Sequence, residues 1–163
     1  MSLTAQKPNW RDTATVDKEI KIKILREGVS VPAYATEGSA AADLRSAEES
    51  AVVIQPNGRA MIHTGIAISI GSSEYVALVF ARSGLAVKHG ICLANGVGVI
   101  DSDYTGEVIV GLLNTSDKPF TVEPGDRVAQ LGILPVCRGV FVPVDELEKT
   151  ERGSGGFGST GVK

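Results

Sequence analysis

The chain is poor in the features that mark secreted, membrane and disulfide-linked proteins. Only two cysteines are present, Cys92 and Cys137, both within apolar stretches, and we predict reduced thiols in the core. No apolar run is long enough to cross a bilayer. The polar segment 1–17 lacks the apolar centre of a secretory signal. We therefore expect a cytoplasmic protein with no membrane partner.

An excess of positive charge is also missing. The 163 residues carry 16 Lys and Arg against 19 Asp and Glu, so the formal net charge is -3. Non-specific nucleic-acid binding requires a basic face, and we expect no nucleic-acid partner. An anionic ligand would need local cations or a metal ion to bind against the negative field of the whole protein.

Helical periodicity and metal-binding clusters are scarce. The sequence predicts one or two helical turns over Ser83–His89 and a single turn over 145–148. The two histidines, His63 and His89, lack neighbours of the type that bind metals, so we expect them to be structural or exposed.

Short β-rich runs separated by turn signals make up most of the chain. With 163 residues, 43% hydrophobic and 21% charged, it has the size and composition of one soluble globular domain. We predict an all-β sandwich or barrel over 18–150, between a flexible lead-in at 1–17 and a glycine-rich tail at 151–163. The predicted strands are 20–24, 52–54, 60–70, 75–80, 91–93, 108–113, 120–122, 128–134 and 140–144.

The segment 98–106 is the strongest candidate for chemistry. It places two carboxylates and a tyrosine on a tight turn between strands, which hold the side chains of the turn in place. Asp101 is therefore a candidate general base. A plain hairpin loop is the structural alternative, because Asp, Ser and Gly favour turns. A calcium loop fits Asp101, Asp103 and Thr105, but Leu112 occupies the position that needs a bidentate acid.

The tail at 152–161 has the composition of a phosphate-binding segment. Its glycines expose backbone N–H groups, Ser159 and Thr160 add hydroxyls, and Arg152 adds a guanidinium group. Phe157 is suited to stack on a nucleobase. A disordered polar terminus is the alternative.

Three further segments place polar groups beside predicted strands. Arg82 and Ser83 lie where a helix begins, and a helix start offers free N–H groups to an anion. The alternative there is a surface arginine followed by an N-cap serine. Asp43 is either a site residue or the partner of a nearby base. Gln130 is either a buried amide that needs a partner or a site residue.

Taken in order, five stretches resemble the five motifs of the homotrimeric deoxyuridine triphosphatases, or dUTP diphosphatases. The resemblance covers nearly the whole chain from Ile20 and implies a distorted jelly-roll subunit with one short helix, assembled as a three-fold homotrimer. In that family each active site combines the first, second and fourth motifs of one chain, the third of another and the tail of the remaining one. The stretches are 40–46, 81–86, 98–106 with Asn114 downstream, 124–131 and 152–161.

The resemblance also implies a role for each candidate residue. Asp101 would activate water for attack on the α-phosphorus of dUTP, giving dUMP and pyrophosphate. Tyr104 would lie beneath the deoxyribose and exclude a 2′-hydroxyl. Asp43 would hold Mg²⁺ through water, with the triphosphate as direct ligand. The other implied substrate-binding residues are Arg82, Ser83, Gly84 and Gln130 at the phosphates, Asn95 and Gly98 in the uracil slot, Arg152, Gly158, Ser159 and Thr160 in the closing tail, and Phe157 over the uracil.

Some positions depart from the family pattern. Ala41, Ala42 and Ala81 stand where glycine, a bulkier residue and proline are usual, and the last change removes some preset rigidity. Two alternatives keep the fold. One is a dCTP deaminase relative, which would need a different acid and a tail without this full motif. The other is a trimeric nucleotide-binding or regulatory protein without catalysis, against which the intact Asp101 and Arg82 argue.

Overall fold

The computed structural model describes residues 18–156, which form eleven β-strands and one short helix. No helix in this range is long and apolar enough to span a membrane. The helix is α1 (Ser83–His89). The strands are β1 (Lys21–Ile24), β2 (Ala33–Tyr34), β3 (Ala42–Arg45), β4 (Val52–Ile54), β5 (Arg59–Ser69), β6 (Tyr75–Ala81), β7 (Ile91–Leu93), β8 (Gly98–Ile100), β9 (Glu107–Asn114), β10 (Phe120–Val122) and β11 (Arg127–Pro135).

All strand pairs are antiparallel and form two larger sheets and one two-stranded ribbon. One sheet has the order β1-β5-β9-β7, and the other has the order β2-β3-β11-β6-β8. The ribbon pairs β10 with β4. Antiparallel sheets that share one core form a sandwich, so the predicted all-β, distorted jelly-roll fold is confirmed.

A single apolar core joins the two larger sheets. Along β9, Val108, Val110 and Leu112 are buried while Ile109 is exposed, which is the period-2 alternation of a strand with one face inward. Each such side chain stabilises the fold by about 1.5–3 kcal/mol relative to exposure. This alternation fixes the register of β9 against its neighbours, because a one-residue slip would turn the apolar face outward.

A β-bulge interrupts the pairing of β5 with β9. The register shifts between His63 and Ala67. Gly65 lies inside this irregularity with φ 68°, a conformation that favours glycine. A Cβ atom at Gly65 would also lie 2.6 Å from Cγ2 of Val29. Both the backbone conformation and the close packing therefore require glycine at the bulge.

Most of the strand predictions are confirmed, with clear exceptions. Every predicted run except 140–144 contains a strand, and α1 has the predicted bounds. Segment 140–144 has no regular structure, and the helical turn predicted at 145–148 is not formed. The strands β2, β3 and β8 were not predicted. Cys92 is half-buried and Cys137 is exposed, so the prediction of a core thiol is wrong for Cys137.

Candidate functional site

Neighbouring strands of the five-stranded sheet bring the first, second and fourth motif segments together. β11 lies between β3 and β6, so Gln130 pairs with Asp43 on one side and with Phe80 on the other. Arg82 directly follows the last residue of β6, Ala81. Antiparallel pairing therefore brings three sequence-predicted residues, from distant parts of the chain, together near the end of β6 at Ala81.

Asp43 is the centre of this cluster and is only 8% exposed. Its Oδ2 accepts a hydrogen bond from Nη1 of Arg127 at 3.1 Å, and its Oδ1 accepts one from Nε2 of Gln130 at 3.4 Å. Nε of Arg82 lies 3.5 Å from Oδ1. Two guanidinium groups around one carboxylate leave a local excess of positive charge, which suits an anionic ligand.

A second contact holds the two arginines relative to each other. Nη1 of Arg82 donates a hydrogen bond to the backbone carbonyl of Arg127 at 3.0 Å. Asp43 and Arg127 also line a cavity of about 860 Å³, whose other walls include residues 26–35 and 44–49. The guanidinium groups are therefore positioned before any ligand arrives, which lowers the entropic cost of binding.

Arg127 is a member of the cluster that sequence analysis did not select. It begins β11, and the register between β11 and β3 shifts between Arg127 and Ala129. Its partner Asp43 is 84 positions away in the chain. The only local signal was its place at the end of the turn 124–126, and that signal does not separate a paired arginine from a surface one.

A metal ion bound directly by several side chains does not fit this cluster. Among residues 18–156, no three His, Cys, Asp or Glu side chains lie together as metal ligands. The polar partners of Asp43 are two cations and an amide. A carboxylate has about four acceptor positions, so one remains for a water molecule. The donor set therefore fits a magnesium ion that keeps its waters and takes its direct ligands from phosphates.

The start of α1 lies next to this cluster. Arg82, not Ser83, is the N-cap residue, and no side chain caps the helix, so the alternative of an N-cap serine is not what the structure shows. Ser83 is the first helical residue. A Cβ atom at Gly84 would meet nothing within 4 Å. Packing within the chain does not explain that glycine, and space remains beside it for a ligand or another subunit.

The third motif segment extends toward the other end of β6. β8 pairs with β6 so that Gly98 faces Val79 and Ile100 faces Ala77. β7 pairs instead with β9, in the other sheet. The segment 95–104 therefore passes from the four-stranded sheet to the five-stranded sheet.

Asp101 and Arg82 are far apart within one chain. Ala77, the partner of Ile100, precedes Arg82 by five positions in the extended strand β6. At about 3.3 Å per residue, Ile100 lies roughly 16 Å from the level of Arg82, and the chain at Asp101 runs farther away. Groups that act on one phosphate must lie within hydrogen-bond reach of it. One chain alone does not bring these two residues to the same phosphate.

A second cavity, of about 320 Å³, lies beside the third motif segment. The sequence-predicted residues Asn95, Gly98 and Tyr104 line it together with Glu107 and the apolar side chains of neighbouring strands. A Cβ atom at Gly98 would lie 2.9 Å from Cβ of Val79. Glycine therefore allows β8 to approach β6 closely at the edge of this cavity.

Contacts within the turn fix Tyr104 and the backbone of Asp101. The backbone N–H of Tyr104 donates to the carbonyl of Asp101 at 3.1 Å, which confirms the predicted turn. The Tyr104 hydroxyl donates to the backbone carbonyl of Glu107 at 2.9 Å. A Cβ atom at Gly106 would lie 2.6 Å from that hydroxyl oxygen. Gly106 therefore leaves the space that the tyrosine ring occupies, and the side chain of Asp101 is exposed.

Asn114 has a structural role. It is fully buried, and its amide nitrogen donates to the carbonyls of Ile54 and Lys118 at 2.9 and 2.7 Å. Its side-chain oxygen accepts bonds from the backbone N–H and the hydroxyl of Ser116. All these contacts lie within the chain, so Asn114 holds together the loop that follows β9.

The described part of the tail contains one predicted site residue. Arg152 is exposed, and its Nε donates to the carbonyl of Gly155 at 2.9 Å. The predictions for Phe157, Gly158, Ser159 and Thr160 lie outside the described residues, as does the predicted lead-in at 1–17.

Comparison with known proteins identifies the family of the chain. Residues 27–161 match the family model described as dUTPase. The chain is 48% identical over 149 residues to the deoxyuridine 5′-triphosphate nucleotidohydrolase of Coxiella burnetii (strain Dugway 5J108-111), covering 91% of this chain and 98% of the relative. It is 51% identical over 148 residues to the protein of that name from Actinobacillus pleuropneumoniae serotype 3, covering 88% and 98%.

Solved structures give the same result. A variant of the Staphylococcus bacteriophage 80alpha dUTPase in complex with dUpNHpp matches with a TM-score of 0.80 and 29% identity, covering 90% of this chain and 100% of that one. A variant of the dUTPase from phage phi11 of S. aureus, described with a structural Mg(II) ion, matches with a TM-score of 0.72 and 25% identity, covering 80% and 99%. The family model, the sequence relatives and the fold all agree, and the chain belongs to the dUTPase family.

Proposed function

We propose that this protein hydrolyses dUTP to dUMP and pyrophosphate. The observation that carries the proposal is the placement of two complementary half-sites along one strand. At one end of β6 a cluster of Asp43, Arg82 and Arg127 is suited to phosphates. Toward the other end a cavity lined by Asn95 and Tyr104 is suited to a nucleoside. In cells, such a reaction would supply dUMP for dTTP synthesis and keep uracil out of DNA, and we place it in the cytoplasm.

The phosphate half-site acts through charge. Arg82 would bind the triphosphate with Ser83, Gly84 and Gln130 beside it, and Asp43 keeps the guanidinium groups in place. Preorganised cations stabilise the charge that develops on the transferring phosphoryl group. Magnesium, bound to the triphosphate and touching Asp43 through water, would supply further charge neutralisation in this acidic protein.

Asp101, which follows the strand at the nucleoside half-site, would be the general base. The exposed carboxylate of Asp101 would accept a proton from the water that attacks the α-phosphorus. The oxygen of that water forms a bond to phosphorus as the bond to the β-phosphate oxygen breaks. Backbone groups of the segment around Asn95 and Gly98 would read the uracil edge, and Tyr104 would lie against the deoxyribose.

We further propose that the active site forms only in a homotrimer. The separation of Asp101 from Arg82 along β6 supports this proposal, in which a general base from one chain would serve the phosphate cluster of another. A closed three-fold ring would complete three equivalent sites in this way.

The chain beyond β11 supports assembly. Residues 136–147 have no regular structure, and Phe141 and Leu147 are 96% and 85% exposed. A run of exposed apolar side chains is costly in water and indicates a contact surface for another subunit. Residues 151–163 would then continue to a neighbour's ligand, where Arg152, Gly158, Ser159 and Thr160 would contact the phosphates and Phe157 would cover the uracil.

The test is pyrophosphate release from dUTP, dCTP, dTTP and UTP, measured side by side with Mg²⁺ and after its removal by a chelator. We expect release from dUTP in large excess over the other three, and its loss with the chelator. Ammonia release from dCTP would support the deaminase alternative. Binding of dUTP without turnover would support a regulatory protein, and activity that survives metal removal would contradict the magnesium proposal.

A further inference from the structure

The carboxylate of Glu107 fills the β-bulge of β5. Its Oε1 accepts the backbone N–H of Gly65 at 2.8 Å, and its Oε2 lies 2.8 Å from Nδ1 of His63. Nη2 of Arg26 lies 3.7 Å from Oε1. Because a bulge removes an N–H group from the regular ladder, that group needs another acceptor, and Glu107 provides it.

The surroundings of Glu107 favour its charged form. Burial acts to raise the pKa of this carboxyl group, whose side chain is 18% exposed. The hydrogen bonds from His63 and Gly65, with the charges of His63 and Arg26, outweigh burial and hold the pKa below its ordinary value. The backbone N–H of His63 donates to Glu48 at 2.7 Å, so the histidine is itself anchored on its other side.

The same residue holds Tyr104 through its backbone. The carbonyl of Glu107 accepts the tyrosine hydroxyl at 2.9 Å, while the ring occupies the space above Gly106. Tyr104 and Glu107 line the same cavity of about 320 Å³. Tyr104 is 47% exposed, and its hydroxyl bond to the Glu107 carbonyl contributes to the positioning of its ring.

We propose that Glu107, anchored by His63 and Gly65, is a positioning residue that sets sugar discrimination through Tyr104. The proposal rests on the proposed function, in which Tyr104 lies against the deoxyribose. The side-chain contacts of Glu107 hold its backbone carbonyl in place, and that carbonyl holds the hydroxyl of Tyr104. A tyrosine ring held in this way would leave no room for a 2′-hydroxyl. Selectivity for deoxyribose would thus depend on the bulge of β5, in the four-stranded sheet.

The first test compares Glu107→Ala, Glu107→Gln and, as a matched surface control, Glu74→Gln. The measured quantity is the ratio of kcat/KM for dUTP to kcat/KM for UTP. A pocket rejects one added hydroxyl by roughly a hundredfold, and we expect Glu107→Ala to lower the ratio about tenfold, chiefly through better use of UTP. Glu107→Gln keeps an acceptor for Gly65 and should retain most of the ratio, and Glu74→Gln should not change it.

The second test is a double-mutant cycle with Tyr104→Phe, which removes only the hydroxyl and leaves the core intact. Tyr104→Phe alone should lower the ratio in the same direction. If Glu107 acts through Tyr104, adding Glu107→Ala to Tyr104→Phe changes the ratio little further, because the two changes break one chain of contacts.

The outcomes separate this inference from the proposed function. A wild-type protein inert toward dUTP would reject the function itself. An active wild type whose ratio is unchanged in Glu107→Ala, or falls additively in the double variant, would overturn the positioning role. Equal losses with both nucleotides would also overturn it, since they would indicate a structural role alone.

Discussion

At the Arg82 end of β6, charged side chains hold one another in place, and toward the Ala77 end a tyrosine is held by backbone contacts around a cavity. In the first half-site, Asp43, Arg82 and Gln130 of one chain meet where three neighbouring strands pair. The second exposes its carboxylate, Asp101, away from any cation cluster described here. Phosphate-binding groups can be assembled within one sheet, whereas in our proposal the general base acts on the ligand of a neighbouring chain.

The largest expected effect comes from changing the exposed carboxylate alone. Asp101→Asn removes the proton acceptor but keeps the size of the side chain, so turnover should fall by about 10²–10⁴-fold. Binding of dUTP and the size of the assembly should stay as in the wild type. Pyrophosphate release and calorimetric titration with a non-hydrolysable analogue measure the two quantities. Near-normal turnover would remove Asp101 from the proposed mechanism.

Mixing variants tests whether the two half-sites meet between chains. Arg82→Ala and Asp101→Asn should each be nearly inactive, but trimers refolded from an equal mixture should recover about a quarter of wild-type activity. This fraction follows because each site then draws Arg82 and Asp101 independently from random chains. Mixing Arg82→Ala with Arg127→Ala is the matched control, since both positions belong to one chain's cluster. Recovery in the control, or none in the test mixture, would contradict shared sites.

Shortening the chain tests whether the C-terminal tail contributes to the active site. Deleting residues from 153 onward should remove most activity, because the outer phosphates and the uracil lose their cover and bulk water enters the site. The described core ends its regular structure at Pro135, so unfolding temperature should change little. Circular dichroism melts and pyrophosphate release provide the measurements. An unaffected rate would show that the tail takes no part.

The smallest expected effect concerns acid stability. The pKa of Glu107 is held below its ordinary value of 4.5, so the folded state binds fewer protons than the unfolded state near that pH. Stability from this group is therefore fully present above pH 4.5 and is lost as the pH falls through the folded pKa. Glu107→Gln should reduce stability by on the order of 1 kcal/mol at neutral pH, with a smaller difference in acid.

Urea unfolding of both proteins at pH 3–7 and one fixed concentration measures this difference. A fixed concentration is needed because assembly adds to apparent stability. A gap between the two proteins that stays constant down to pH 3 would contradict the role of the Glu107 charge.

Local patterns in the sequence were sufficient for most strands and for α1. Alternation along β9 reflects one buried face, and the turn at Asp101 follows from the residues that form it. Alternation at 140–144 misled the prediction, because a strand also needs a partner and no described strand pairs with this segment. The exposed side chains there point to a partner outside the chain.

Long-range partners were the limit of prediction within the candidate site. Asp43 and Gln130 were each left with a structural and a functional alternative, and the structure satisfies the structural one by pairing them with each other and with arginines. His63 was expected to be structural or exposed, and its partner Glu107 is 44 positions away. Arg127 gave no local signal of its pairing with Asp43. Such contacts depend on strand register, which no single segment specifies.

The antiparallel pairing of β8 with β6 also has a consequence for how activity would depend on protein concentration. That pairing carries Asp101 away from the phosphate cluster of its own chain, so under the proposed shared site a dissociated subunit would be unable to turn over substrate. Dilution below the dissociation constant of the proposed trimer would then lower the activity per chain. The catalytic output would then rise steeply with expression level, since each proposed site would need residues from several copies of the chain.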